Sequence, residues 1–322
     1  MVSIGRMRAI GVTEYGGPDA LREVRLEPEP LGPGQVRVRV LAAAVNPTDT
    51  LLRSGATSDA PRARTVDVPG MDVCGTVLEI GSPDGRLQVG HRVMGIVVPD
   101  GEHGAYRDDV VLPAASVVGV PRGLTDAEAA SIPMNALTAC LALEVLGLDA
   151  GATLAVTGAA GAMGGCMVQL AKAAGLVVVA DAKDDDEELV RSLGADSVVP
   201  RGPGFAAGVR SEHPDGVDAL VDASLQGSEV ASAVRDGGSV VTVRGWDGNG
   251  DQRISYHSIR VRWVAERLDL LEHVHDLVES GLLLARVADV FPAAEAAAAH
   301  RRLEAGGVRG RLVLDLTTPA PN

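Results

Sequence analysis

"LAVTGAAGAMGGCMVQLAKAAGLVVVADAK", Leu154 to Lys183, opens with an apolar run of strand length, passes through a burst of glycine, and closes on a second apolar run that ends in an acid. After the turn, Met163, Met167, Leu170, Ala171 and Ala174 recur at the spacing of one helix face. The glycines therefore lie between a strand and a helix from about Met163 to Ala174. A glycine-rich turn lets backbone N–H groups approach an anion, and a helix N-terminus adds partial positive charge. Gly158, Ala160, Gly161, Ala162, Met163 and Gly164 are the candidate contacts for a pyrophosphate. The spacing is a variant of G-x-G-x-x-G in which Ala159 takes the first glycine slot, with Gly161 and Gly164 in the second and third. Glycine in such a turn also has a purely structural explanation. Asp181 weighs against it, because an acid ending the next strand can accept hydrogen bonds from a ribose. The two features together point to a dinucleotide.

Outward from this stretch, "TLAVTG", "LVVVADA", "DSVVP", "GVDALVDA" and "GGSVVTVRG" alternate with helical segments such as "EELVRSLG". Strand–helix repetition of this kind builds a parallel sheet through right-handed crossovers. From Met7 to about Val120 the texture is different: short β-type runs between Gly/Pro turns, with Val36, Val38 and Val40 on one face of a strand and Arg37 and Arg39 on the other. After Pro121, Thr125 and Glu128 form a capping box ahead of an apolar helical stretch. Beyond Tyr256 come "IRVRWV", read as a strand, an amphipathic segment, a helix and a last strand, "GRLVLDL".

The 322 residues are enough for two lobes, and 46% apolar with 22% charged residues is a globular balance. A net charge of −14, with no basic cluster to offset it, repels a phosphate polyanion, so no nucleic acid is expected as a partner. The N-terminus lacks the pattern of a secretory leader, and the apolar runs break short of the ~18 residues of a span. No membrane partner and a cytoplasmic location are expected. Cys74, Cys140 and Cys166 are scattered and form no C-x-x-C pair. His273 and His275 sit with Glu272 and Asp276 on a helical surface, and no metal site is read there.

The blocks "AAAVNPTDTLLRSG" (Ala42–Gly55), "VPGMDVCGTVLEIG" (Val68–Gly81), "AASIPMNALTACLAL" (Ala129–Leu143), "VTGAAGAMGG", "LGADSVV", "GVDALVDA", "GGSVVTVRG" and "GRLVL" occur in the order found in the medium-chain dehydrogenase/reductase superfamily. The chain resembles its zinc-free quinone oxidoreductase-like branch over nearly its whole length. The resemblance implies an α/β protein: a GroES-like β-barrel lobe (1–122 and 258–322) plus a Rossmann doubly wound parallel sheet (123–257), with NAD(P)H bound. It also implies a homodimer through the edge of the Rossmann sheet, with "IRVRWV" as the matching strand.

Carried over residue by residue, Thr138 and Gly245 match positions near the nicotinamide, and Arg311, which stands where the family usually has lysine, is a further candidate cofactor contact. Asn46 replaces the first zinc-ligand cysteine of the alcohol dehydrogenases and Met71 the histidine, so zinc is not expected. Without a Lewis acid, conjugate reduction fits: a hydride reaches the β-carbon of an α,β-unsaturated carbonyl while N–H or O–H donors hold the enolate oxygen. Asn46 is a candidate for that role, or a turn-forming residue before Pro47. Asp49 and Arg53 read first as a pair fixing the loop. Tyr106 and Tyr256 are the candidate proton donors. Asp181 favours a bare ribose and hence NADH, whereas Lys183 and Arg201 favour a 2′-phosphate, and the branch tips the balance to NADPH. The expected substrate is a small enone, enal, enoyl compound or quinone. The alternatives are reductive cyclisation or another biosynthetic hydride step, and a cofactor-binding scaffold without turnover.

Overall fold

The computed structural model describes residues 6–56, 66–83 and 85–318. The chain forms two compact units, one of residues 1–134, 265–279 and 285–322, the other of 135–264 and 280–284. The division lies within the helix Pro133–Leu146, later than the expected 122/123 boundary.

In the first unit, Gln35–Val45 is the hub of a seven-stranded sheet. Asp72–Ile80 pairs antiparallel along one side, and Asp109–Pro113 and Arg311–Asp315 share the other. Val36, Val38 and Val40 are buried and Arg39 is exposed, as the alternation predicts. Arg37 departs from it: its guanidinium folds onto Asp109 (2.8 Å) and the Glu29 carbonyl, which satisfies the charge while its stem is covered. The core beneath is aliphatic, drawn from Val36, Val38, Val73, Val93, Leu112 and Leu314 among others.

The second unit is a six-stranded sheet in which every pairing is parallel. Its order is Ser197–Pro200, Val177–Ala182, Thr153–Thr157, Val217–Asp222, Val234–Thr242, Ser255–Ser258. In chain order this is 3-2-1-4-5-6, the doubly wound arrangement whose order reverses beside its first strand. The glycine turn comes directly after that first strand, so the topology places it at the switch point.

Two expectations are corrected. "IRVRWV" is not the edge strand: Ser255–Ser258 is, and Val261–Val264 forms a 3₁₀ turn. The neighbouring strand ends at Thr242, whose carbonyl takes the Ile259 N–H, so that strand is used up before Val261 is reached. The Thr125–Glu128 capping box forms, but its helix stops at Ala130 and a new one starts at Pro133. Together, residues 126–146 are long and apolar enough to cross a membrane by composition, although the apolar runs read as too short; 72% of that stretch is buried within the protein.

Candidate functional site

At the turn, Gly158 is left-handed (φ +68°), a conformation that disfavours any side chain. Gly161, in extended backbone and without a side-chain cap, precedes the helix Ala162–Ala173, whose first N–H groups have no intrahelical partner. A Cβ on Gly164 would lie 2.3 Å from the Gly158 carbonyl oxygen, so the helix packs on the turn only with glycine there. Ala160, Ala162 and Met163 complete the turn and first helical residues.

Asp181 is 1% exposed, and its Oδ1 accepts the Ala159 N–H at 3.0 Å. The carboxylate thus holds the turn at the slot where alanine replaces glycine. Its Oδ2 is buried without a partner, with Arg201 Nε at 3.9 Å. Burial raises the carboxyl's pKa, opposed by the Ala159 bond and Arg201. Lys183 lines a cavity of about 90 Å³ with Asp184, Glu187 and Val199. On the other side of the first strand, Asp222 accepts from the Thr157 hydroxyl (2.8 Å) and the Gly227 N–H (2.8 Å). Between Asp222 and Gly227, Leu225 is left-handed (φ +61°) and 46% exposed. Gly245 is left-handed too, and Thr138 is buried on the helix Pro133–Leu146. Open glycine backbone and an orphaned carboxylate oxygen suit a dinucleotide's pyrophosphate and ribose.

The first unit holds a separate polar network. Asn46 caps the helix Pro47–Ser54, with its own N–H donating to Asp49 Oδ2 at 2.7 Å. Asp49 also accepts from the Gly70 N–H (2.9 Å) and the Tyr106 hydroxyl (3.2 Å). Tyr106 Oη lies 3.3 Å from His300 Nε2, and His300 Nδ1 lies 3.4 Å from Arg53. Arg53 ends on Glu304 at 2.5 Å. Asp49 and Arg53 do fix the loop, but through these partners rather than each other. Burial pushes Asp49 up to about 6 and His300 down to about 3, and holds Tyr106 well above its usual value.

Asn46 is wholly buried, and its Nδ2 donates to Asp72 Oδ2 at 2.9 Å. The amide oxygen, Oδ1, is left without a partner. The amide NH₂ is turned toward Asp72 and, at 3.5 Å, the Ala44 carbonyl, because a carboxylate attracts the NH₂ end of the amide. Asp72 also accepts the Met134 N–H (2.6 Å) and faces the Arg311 Nη2 at 3.4 Å. Arg311 Nε is buried without a partner. Burial raises Asp72's pKa, with Arg311 opposing.

The three candidate catalytic residues are divided. Asn46 and Tyr106 meet at Asp49, whereas Tyr256 lies in the second unit, where its hydroxyl donates to Asp251 (3.1 Å) and its ring meets Trp246 edge-on. Desolvation and Asp251 push the Tyr256 phenol up to about 12. Sequence reasoning missed Asp72, Asp222 and His300. Asp222 ends a strand beside the glycine turn and was legible by analogy with Asp181. His300 gave no signal, lying 194 residues from Tyr106. Among the described residues no group of three His, Cys, Asp or Glu side chains is placed to hold a metal.

Residues 32–122 match the family model of the alcohol dehydrogenase GroES-like domain, and 193–314 that of the zinc-binding dehydrogenase. A Solanum lycopersicum "2-methylene-furan-3-one reductase" is 32% identical over 74% of the chain, which spans 62% of that relative's length. A chloroplastic "NADPH-dependent alkenal/one oxidoreductase" of Arabidopsis thaliana is 28% identical over 96% of the chain and 79% of its own. An Arthroderma benhamiae protein named "Probable zinc-binding oxidoreductase, mitochondrial" is 30% identical over 77% of the chain and 79% of its own. Among solved structures, the quinone oxidoreductase from Coxiella burnetii superposes with a TM-score of 0.83 at 26% identity, over 97% of this chain and 99% of that one.

Proposed function

The chain belongs to the medium-chain dehydrogenase/reductase superfamily, in its quinone oxidoreductase-like branch, and on that footing we propose that it is an NAD(P)H-dependent reductase of α,β-unsaturated carbonyl compounds or quinones. The observation that carries the cofactor half is the glycine turn at the switch point of the sheet, with Asp181 locked to Ala159 behind it. The substrate half is supported by the names of the alkenal/one and methylene-furanone relatives.

NADPH is the preferred cofactor in this reading. Arg201 stands 3.9 Å from the free oxygen of Asp181, so a 2′-phosphate placed there meets a guanidinium able to bind it in two-pronged fashion. Hydride transfer proceeds without zinc, since position 46 offers an amide already committed to Asp72 and position 71 a thioether. A second copy of the chain pairs along the Ser255–Ser258 edge, supported by Trp263 standing 60% exposed just beyond it.

The test monitors absorbance of NADPH and NADH with enones, enals, enoyl-thioesters and quinones, with and without chelator. Turnover on at least one member, undiminished by chelator, is expected. Cofactor binding without turnover on any of them favours the scaffold, and loss with chelator overturns the zinc-free part. Light scattering of the Trp263→Ser variant checks the dimer, which should weaken.

A further inference from the structure

We propose that Asp49, Tyr106, His300 and Arg53 form a proton-operated switch: a proton taken up by Asp49 reverses the hydrogen bonds between them, turns His300 into its other tautomer and frees Arg53 from it. All four side chains are buried in the first unit, so the switch stands apart from the cofactor turn and from the reductase reading.

The resting direction follows from the Arg53 end. A guanidinium has donors only, so Arg53 Nη1, 3.4 Å from His300 Nδ1, makes that nitrogen the acceptor. A neutral imidazole then carries its one proton on Nε2. Burial and the Arg53 charge keep the ring neutral, holding His300 down to about 3. Its Nε2–H points at Tyr106 Oη, 3.3 Å away, and the Tyr106 hydroxyl is left to donate to Asp49 Oδ2 at 3.2 Å. Every donor therefore aims toward a charged Asp49.

A protonated Asp49 cannot keep that order. Its Oδ1 meets the Gly70 N–H and its Oδ2 the Asn46 N–H, both donors, so among its hydrogen-bond partners only Tyr106 Oη can accept the carboxylic proton. Tyr106 must then give its own hydrogen to His300 Nε2, which accepts only when the ring's proton sits on Nδ1. One proton arriving at Nδ1 accomplishes the whole change. The Nε2 proton passes to Tyr106 Oη, the Tyr106 proton passes to Asp49, and all three groups end neutral. Nδ1–H now faces the Arg53 N–H, donor against donor, and that contact is given up. Arg53 keeps its bonds to the Gly16 carbonyl (3.1 Å) and to Glu304, whose side chain is 39% exposed and brings this end of the network to the surface. Burial pushes Asp49 up to about 6, the Asp72 charge adds to the rise and Arg311 opposes it, so uptake falls a little below neutral pH.

The experiment uses the full chain with ¹⁵N-labelled histidine, the His300 ring being assigned by its loss in His300→Gln. At pH 7.5 two-bond nitrogen–proton spectra should show the ring proton on Nε2. At pH 4.5 they should show a ring that is still neutral, with the proton on Nδ1. The change should track an infrared carboxylic-acid band that Asp49→Asn lacks. Tyr106→Phe interrupts the network, so the band should still appear while the ring keeps its proton on Nε2 at both pH values. If Tyr106→Phe does not fold, Arg53→Met removes the donor that holds Nδ1 bare, and the midpoint of the tautomer change should rise by about one pH unit. A wild-type ring that keeps one tautomer while the band appears overturns the proposal. So does a tautomer change that persists in Tyr106→Phe, or a midpoint unmoved in Arg53→Met.

Discussion

The glycine turn and the network around Asp49 answer the same problem, a polar site inside a folded chain, by opposite means. At the turn the polar groups are backbone, presented by residues too small to cover them, and one carboxylate holds the geometry through Ala159. Around Asp49 most of the polar groups are side chains, running through the buried Tyr106, His300 and Arg53 to Glu304 at the surface, with backbone N–H groups only at Asn46 and Gly70. The first arrangement tolerates almost no added atoms. The second tolerates changes of shape poorly and responds to protons.

The sharpest break of the turn is Gly164→Val. Its Cβ would press on the Gly158 carbonyl, and overpacking of this kind costs about 1–3 kcal/mol or more. Thermal unfolding should show the loss, and dinucleotide binding should vanish while the first unit's fold persists in circular dichroism.

The network is broken by pH. His300's folded value of about 3 lies below its ordinary 6.5, so the folded state refuses a proton that the unfolded chain accepts. Its cost is absent above 6.5 and grows as pH falls toward 3. Asp49 runs the other way: a folded value of about 6, above 3.8, gives stability fully present below 3.8 and lost as pH rises through 6. Between pH 7 and 4.5 the two oppose each other at about 2–3 and about 2 kcal/mol. His300→Asn should therefore gain stability relative to wild type on acidification, and Asp49→Asn should lose it. Denaturant unfolding at both pH values reads the two signs, and equal shifts in the same direction would refute the assignment.

Smaller effects sharpen the contrast. Asp181→Ser should raise the NADPH-to-NADH affinity ratio by about tenfold, ~1.4 kcal/mol, because it removes a carboxylate that repels a 2′-phosphate. Arg201→Ala should lower the same ratio; fluorescence titration measures both, and an unchanged ratio would mean that neither residue faces that position. Tyr256→Phe loses only the partly exposed bond to Asp251, and should cost about 1 kcal/mol or less with kcat unchanged.

How far the sequence was legible divides along the same line. The turn, its helix and Asp181 lie within thirty residues, and local spacing carries backbone geometry, so the fold class and the strand–glycine turn–helix unit were readable. The edge strand was not. Alternation in "IRVRWV" is a real signal, but pairing is decided by where the neighbouring strand stops, at Thr242. Asp49 and Arg53 are helical neighbours by spacing, yet each finds better partners at Gly70, Tyr106, His300 and Glu304. The orientation of Asn46 was out of reach for the same reason. It depends on Asp72, 26 residues away, and no periodicity encodes which end of an amide a distant carboxylate will attract.

The meeting of Asp72 and Arg311 across 239 residues also has a consequence in time. The second unit is built almost wholly from residues 135–264, whereas the first must wait for Arg311–Asp315 to seat beside Gln35–Val45. Contacts of such separation form slowly, since a long loop must close before anything rewards it. The nucleotide-type sheet can therefore settle while the hub strand still lacks its last neighbour. Until that strand is seated Asp72 has no guanidinium facing it, and its contact with Arg311 closes only with the strand Arg311–Asp315.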